Sequence, residues 1–212
     1  MPIDINYNER YQLFYLKKAL NELLSTFSKE EETKITNTIE LKEDHNNGCN
    51  YINNIKIPVT FPLYVKDYIF KLEKKKSLDY FYMGTITGTK EWVNKYIKNN
   101  NSIIKKSDRG RTKMKYELDE NYYKLMSQAK FTLCATEWGE RKNSWTYRFF
   151  EAIMCLSIPI LQENSNDIYL KEYFCYYDND KHIYDEKKAI ENYKKFINSK
   201  HFLQNNKLSI LN

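Results

Sequence analysis

Basic side chains and one carboxylate surround the start of a predicted helix within residues 130–161, KFTLCATEWGERKNSWTYRFFEAIMCLSIPIL. Arg141 and Lys142 lie in a polar loop, Arg148 lies near the helix start, and Glu151 follows three residues later. Free backbone N–H groups at a helix start attract phosphate, and arginine binds phosphate oxygens with paired hydrogen bonds. A carboxylate one turn further on is suited to accept hydrogen bonds from ribose hydroxyls. The pattern therefore predicts a nucleotide site.

The elements that must position these side chains are a strand, a loop, a helix and a second strand. Residues 131–136 form a β-prone apolar run, and residues 137–143 form a charged loop. Ser144 is a candidate helix cap, and Pro159 is expected to end the helix and open a buried strand over 158–161. This βαβ unit places the loop at the carboxyl end of its first strand, where open α/β sheets bind ligands.

Two further turns carry groups suited to phosphate. A strand over residues 79–86 leads into G-T-I-T-G-T-K, whose glycines allow the backbone to approach a ligand. A second strand, residues 102–104, leads into a loop in which Arg109 and Arg111 flank a glycine; a solvated basic loop is the alternative there. The residues predicted to bind this nucleotide ligand, later called the donor-binding residues, are Gly84, Thr85, Lys90, Arg109, Arg111, Arg141, Ser144, Thr146, Tyr147, Arg148 and Glu151.

The pattern S-x-T-Y-R-F-F-E-A-I-x-x-x-x-I-P-I-L, preceded by K-F-x-L-C, resembles the donor half of exostosin-like glycosyltransferases of GT-B architecture. The resemblance is clearest over residues 80–161. It implies a UDP-sugar donor, no metal or other cofactor, Arg148 at the leaving diphosphate and Glu151 at the ribose. This chain departs from the family at Ala135, where proline is usual, and at residues 155–157, where glycine or a small residue is commoner.

An acceptor hydroxyl would require a general base if the reaction inverts the sugar. In the resembling family the base comes from the N-terminal half, where Asp4, Glu9, Asp44 and His45 are candidates and none is favoured. The acceptor is expected to be a glycan or glycoprotein.

Three alternatives compete with the enzyme hypothesis. Arg148 and Glu151 could form an ordinary ion pair on the surface of an amphipathic helix. The chain could also be a nucleotide-sugar-binding module, or a subunit of a larger or oligomeric enzyme, that completes no reaction alone. A net charge of +6 with 19 Tyr and 11 Phe would suit a nucleic-acid binder, but no basic face with interleaved aromatic residues is evident, so no nucleic-acid partner is expected.

The expected fold class is α/β, with a Rossmann-like, mainly parallel sheet and helices on both faces over residues 76–212. Residues 1–75 are expected to form a small N-terminal appendage, a reduced acceptor half. The four Cys show no C-x-x-C spacing and read as reduced residues, which predicts neither a metal site nor disulfides. There is no apolar run of about 20 residues and no signal-peptide pattern, so a cytoplasmic protein is expected.

Outside the central unit, spacing predicts the remaining elements. Residues 28–54 are expected to form a hairpin or mobile loop, residues 56–64 an extended strap, and residues 175–177 a short strand. Helices are predicted over residues 11–27, 65–72, 91–98, 118–128 (capped by Asp119), 167–174 and 186–196.

Overall fold

The computed structural model describes residues 3–4, 11–44, 49–57, 59–84, 91–96, 98, 101–106, 119–135, 147–162 and 172–206. It divides the chain into two compact units, the first made of Met1–Asp67 with Ile197–Asn212 and the second of Tyr68–Phe196. The boundary thus lies eight residues before the predicted one, and the C-terminal segment belongs to the first unit. The reason is packing, because Leu203 is fully buried in one cluster with Leu16 and Ile52.

The described residues of the first unit include two complete α-helices and a three-stranded antiparallel sheet whose strands lie in chain order. Where the sequence suggested a hairpin or loop, a second helix precedes two hairpins. That helix buries no residue, and a reciprocal capping box between Ser28 and Glu31 starts it. Asn53 and Asn54 form the second turn at positive φ (49° and 67°), where asparagine is favoured. The elements are α1 (Tyr11–Leu24), α2 (Lys29–Thr38), β1 (Leu41–Asp44), β2 (Cys49–Ile52) and β3 (Ile55–Ile57).

The second unit is built on a five-stranded parallel sheet of order β5-β4-β6-β7-β8. Its strands are β4 (Leu78–Gly84), β5 (Ile103–Lys106), β6 (Ala129–Leu133), β7 (Ile158–Leu161) and β8 (Tyr176–Tyr177). The prediction of an α/β unit with a parallel sheet is confirmed. Successive strands are added on one side of β4 and then on the other, so the order reverses between β4 and β6. Such a reversal leaves a crevice at the carboxyl ends of the two strands, which is where open α/β sheets bind ligands.

Helices cover both faces of this sheet, as predicted. Tyr82 and Phe131 pack in one cluster with Trp92 of the helix Glu91–Asn94 (α4) and Ala189 of the helix Glu186–Ile197 (α7). The next residue back in β4, Phe81, points to the other face and meets the ring of Tyr122 in α5 edge-on, with centroids 5.3 Å apart. The remaining helices are α3 (Leu63–Lys71), which crosses the boundary between the units, α4 (Glu91–Asn94), α5 (Glu120–Gln128), α6 (Tyr147–Met154) and α7 (Glu186–Ile197).

The end of α6 differs from the prediction. Pro159 does not end the helix, because it lies inside β7, paired with Thr132. The helix ends at Met154, and Leu156 follows with a φ of 53°. Ser157 N–H then donates to the Ala152 carbonyl at 2.9 Å, the long bond of a Schellman turn. Glycine adopts this left-handed conformation most easily, and here Leu156 occupies it.

Lys76 joins the C-terminal ends of α5 and α6. Its ammonium donates to the Ser127 carbonyl at 2.8 Å and to the Cys155 carbonyl at 2.9 Å. Carbonyls at helix ends lack intrahelical partners and carry partial negative charge, so one cation satisfies both ends. Burial lowers the pKa of this lysine to about 7, and the neighbouring Lys74 adds to the shift.

The Lys76→Met variant should become relatively less stable as the pH rises. The unfolded chain holds the lysine proton up to about pH 10.4, whereas the folded chain releases it near pH 7. Between these two pH values the folded state becomes relatively more favourable as the pH rises. The contribution of Lys76 to the free energy of unfolding is therefore complete only above the unfolded pKa and is lost as the pH falls toward 7. Urea unfolding at pH 7, 8 and 9 should show the gap between wild type and variant growing by about 1 kcal/mol per pH unit. Lys75→Met, which removes an exposed neighbouring lysine, is the control. A constant gap would contradict the assignment.

Candidate active site at the carboxyl edge of the sheet

The Arg148 side chain lies at the carboxyl end of β4, beside the reversal of strand order. Its Nη2 donates to the Met83 carbonyl at 3.0 Å. The guanidinium carbon lies 4.6 Å from the centroid of the Tyr82 ring, within the range of a cation–π interaction. Two successive residues of β4 therefore hold the guanidinium of a residue that belongs to α6. The sequence placed the loop before α6 at the carboxyl end of the strand over residues 131–136, and the structure brings Arg148 to the carboxyl end of the neighbouring strand β4.

Gly84, the last residue of β4, leaves the space that the guanidinium occupies. A Cβ atom at this position would lie 2.6 Å from Arg148 Nη2 and 3.1 Å from the Tyr82 hydroxyl. Real Cβ contacts are longer than the first of these distances, so any side chain at position 84 would displace the arginine. The structure thus brings together two residues that the sequence assigned to the same site, and it explains the glycine by close approach to a side chain.

The Gly84→Ala variant should therefore impair anion binding at Arg148 without removing the charge. We expect nucleotide affinity to fall about tenfold, because the guanidinium must shift by a few tenths of an ångström or more. Isothermal titration with UDP would measure the loss, and Arg148→Ala combined with Gly84→Ala should show little further loss. Additive losses would mean that Gly84 acts independently of the arginine.

The Arg148 guanidinium has hydrogen-bonding capacity that the described part of the chain does not use. Within those residues the buried Nε atom has no hydrogen-bond acceptor. Burial acts to lower the pKa of this group, but the surrounding Tyr122, Tyr82, Cys134 and Glu151 raise it overall, so the charge is retained. A buried donor without an acceptor is uncommon in folded proteins and calls for an explanation such as a bound ligand.

Glu151 is buried in the interior of the protein. Its side chain is 2% exposed, and its two carboxylate oxygens accept hydrogen bonds from Tyr122 at 2.8 Å and from Tyr123 at 2.9 Å. A surface ion pair with Arg148 is therefore the wrong description of this carboxylate. The ribose role stays a prediction, and it would require a ribose hydroxyl to displace at least one tyrosine hydroxyl.

The Glu151→Gln variant should lower the free energy of unfolding by about 1–3 kcal/mol. The reason is that the amide nitrogen of glutamine cannot accept the hydrogen bond that one of the two tyrosine hydroxyls donates to the carboxylate. Urea denaturation measures this, and Glu191→Gln on the exposed face of α7 is the matched control. Combining Glu151→Gln with Tyr122→Phe should give less than the summed loss. Unchanged stability together with weaker binding of nucleotides that carry both ribose hydroxyls would instead establish the ribose role.

Tyr82, Tyr122 and Tyr123 are site-supporting residues that the sequence did not single out. Tyr122 and Tyr123 lie in the helix predicted over residues 118–128, and both are buried. Their hydroxyls could not be matched to Glu151 in advance, because the partners lie 29 and 28 residues apart in different helices. The signal that was available is the adjacency of two tyrosines on a helix that precedes a strand of the same sheet.

Of the predicted donor-binding residues, the structure describes Gly84, Tyr147, Arg148 and Glu151. Tyr147 is partly buried at the first position of α6. Of the base candidates, Asp4 is exposed and Asp44 ends β1. The others lie outside the described residues: Glu9, His45, Thr85, Lys90, Arg109, Arg111, Arg141, Ser144 and Thr146.

No family model matches the chain, and no curated protein matches it. In the described part of the chain, none of the helices has the length and apolar character needed to cross a bilayer. Among the same residues, no three histidine, cysteine or acidic side chains group in a way that could hold a metal ion.

Proposed function

We propose that the chain is a glycosyltransferase that binds a nucleotide-diphosphate sugar, a UDP-sugar in the first instance, at the carboxyl edge of the parallel sheet. The observation that carries the proposal is the Arg148 guanidinium, fixed by Tyr82 and the Met83 carbonyl, with a buried Nε–H that lacks an acceptor among the described residues. Its position at the reversal of strand order supports a nucleotide ligand. The resemblance of residues 144–161 to exostosin-like enzymes supports a sugar as the group that the nucleotide carries.

In the proposed reaction the bond between the anomeric carbon and the diphosphate oxygen breaks, while a bond forms from that carbon to an acceptor hydroxyl oxygen. Negative charge accumulates on the departing diphosphate, and the acceptor hydroxyl gives up its proton to a base. The Arg148 side chain is already oriented by its contacts in β4, so little reorganisation is needed when the charge develops. Arg148 is the group to which we assign stabilisation of the leaving diphosphate.

A binding module without turnover is the second candidate. The two candidates share the same ligand site and differ only in whether the bound donor reacts. Hydrolysis or transfer of the sugar by the purified chain distinguishes them, because a binding module would retain the donor intact. Binding of UDP would support the site. If the chain bound UDP but released no sugar from any UDP-, GDP- or CMP-sugar, the enzyme proposal would be contradicted.

Arg148→Ala should reduce kcat/KM for the donor by about 30- to 1,000-fold, which corresponds to roughly 2–4 kcal/mol of transition-state stabilisation. Arg148→Lys should recover only part of the loss, because an ammonium cannot present the planar paired donors of a guanidinium. Lys124→Ala, which removes an exposed cation from α5, is the matched control and should leave turnover unchanged.

Melting temperatures of all three variants separate loss of chemistry from loss of folding. Full turnover in a folded Arg148→Ala variant would show that the arginine is structural. Loss of turnover in Lys124→Ala as well would show only that the enzyme is sensitive to net charge.

A further inference from the structure

A cavity of about 480 Å³ lies away from Arg148, toward the amino ends of β4 and β6. Its volume falls within the range of about 300–1,000 Å³ that is usual for small-molecule sites. Six residues line it: Asp79, Tyr80, Lys130, Phe131, His182 and Tyr184. From Asp79 to Gly84 the chain advances five strand residues, or about 16 Å, so the cavity and the Arg148 site lie at different ends of one strand.

Four of the six residues that line this cavity carry aromatic rings. Tyr80 and Phe131 are partners in the parallel register, and their rings stack with centroids 5.4 Å apart. The other two rings are tilted: His182 lies at 45° and Tyr184 at 83° to Phe131. Among these four rings there is no pair of parallel walls facing each other that would accept a flat base. Tilted rings instead suit a puckered ligand with C–H groups on its faces.

The polar atoms of these rings already have partners within the protein. A carbonyl can only accept, so His182 Nε2–H donates to the Tyr177 carbonyl at 2.9 Å. In the neutral ring Nδ1 is then an acceptor, and it receives the Tyr80 hydroxyl at 3.2 Å. Tyr184 donates to the Leu156 carbonyl at 3.1 Å. The rings therefore offer the ligand mainly their apolar surfaces.

The Asp79–Lys130 ion pair supplies the remaining hydrogen-bonding capacity of the cavity. Lys130 Nζ lies 2.8 Å from Asp79 Oδ1, and the two side chains stay 38% and 30% exposed. An ammonium has three N–H donors and a carboxylate accepts several hydrogen bonds, so their mutual contact leaves donors and acceptors side by side. A hydroxyl group both donates and accepts, which matches this pair. Asp79 would repel a ligand with net negative charge, and Lys130 would repel a ligand with net positive charge. The pair therefore favours a neutral ligand.

We propose that this cavity binds a pyranose unit of a neutral glycan, with the C–H face of the sugar on Tyr80 and Phe131 and its hydroxyls on Asp79 and Lys130. Axial C–H groups carry a small positive charge and contact the electron-rich faces of aromatic rings. The site is separate from the donor site and does not depend on the glycosyltransferase proposal. In a glycan-modifying enzyme, it would hold a remote part of the acceptor or product chain.

The test uses the full chain and three neutral trisaccharides, which are maltotriose, cellotriose and tri-N-acetylchitotriose, and follows binding by saturation-transfer NMR and titration. At least one should bind with a dissociation constant of about 1 mM. Asp79→Asn and Lys130→Met should each weaken that binding about tenfold or more, since each removes a charged hydrogen-bonding partner. Lys42→Met, which breaks the exposed Lys42–Glu40 pair, is the matched control and should leave binding unchanged.

Further binding and competition measurements distinguish this site from the donor site. The sugar should bind equally well to Arg148→Ala and should not be displaced by UDP, whereas uridine, choline and glucose 6-phosphate should not compete for the cavity. Three results overturn the proposal: no trisaccharide binds at about 10 mM, binding is unaffected in both folded cavity variants, or binding is lost with Arg148→Ala, UDP or uridine. If Lys130→Met lowers the melting temperature, the nearly isosteric Asp79→Asn decides the outcome.

Discussion

A buried carboxylate sets the geometry of the carboxyl edge. Removing a charge from water costs several kcal/mol unless hydrogen bonds replace its hydration. The Glu151 carboxylate has both oxygens bonded to tyrosine hydroxyls of α5. These bonds fix α6 against α5, and since Arg148 lies one turn earlier in α6, they also fix where the guanidinium emerges. The position of the proposed phosphate-binding group thus depends on a carboxylate that a ligand need not touch.

The order of the parallel strands turns this helix contact into a site. Because the sheet grows in both directions from β4, the first turn of α6 comes to the carboxyl end of β4 and not only to the end of β6, which precedes it in sequence. The guanidinium then needs space and an anchor at that strand end. Gly84 gives the space, and Tyr82 with the Met83 carbonyl gives the anchor. Sequence neighbours in β4 therefore act on a side chain some 65 residues away.

Sequence patterns predicted the elements in which buried residues recur at a regular spacing. The strand Ile158–Leu161, the amphipathic helix near Glu186–Ile197 and the Asp119 cap of α5 all agree with the structure. The same patterns failed where burial gives no signal, as in α2, which is charged and buries no residue. They also failed where contacts join distant segments. Spacing of three residues correctly placed Glu151 one turn from Arg148, but it could not show that a neighbouring helix covers the carboxylate.

The common orientation of the helices gives the two ends of the sheet partial charges of opposite sign. In a parallel α/β unit, helices start at the carboxyl ends of the strands and finish at the amino ends, so partial positive charge gathers at one edge and partial negative charge at the other. At the carboxyl edge Arg148 adds to the positive field, which suits an anion. At the amino edge Lys76 offsets the carbonyls of α5 and α6, and Lys130 is matched by Asp79. Because Lys76 and Lys130 both have partners within the protein, neither presents an unpaired positive charge to a phosphate, and a neutral, hydroxyl-rich ligand is the one that the Asp79–Lys130 pair can recognise.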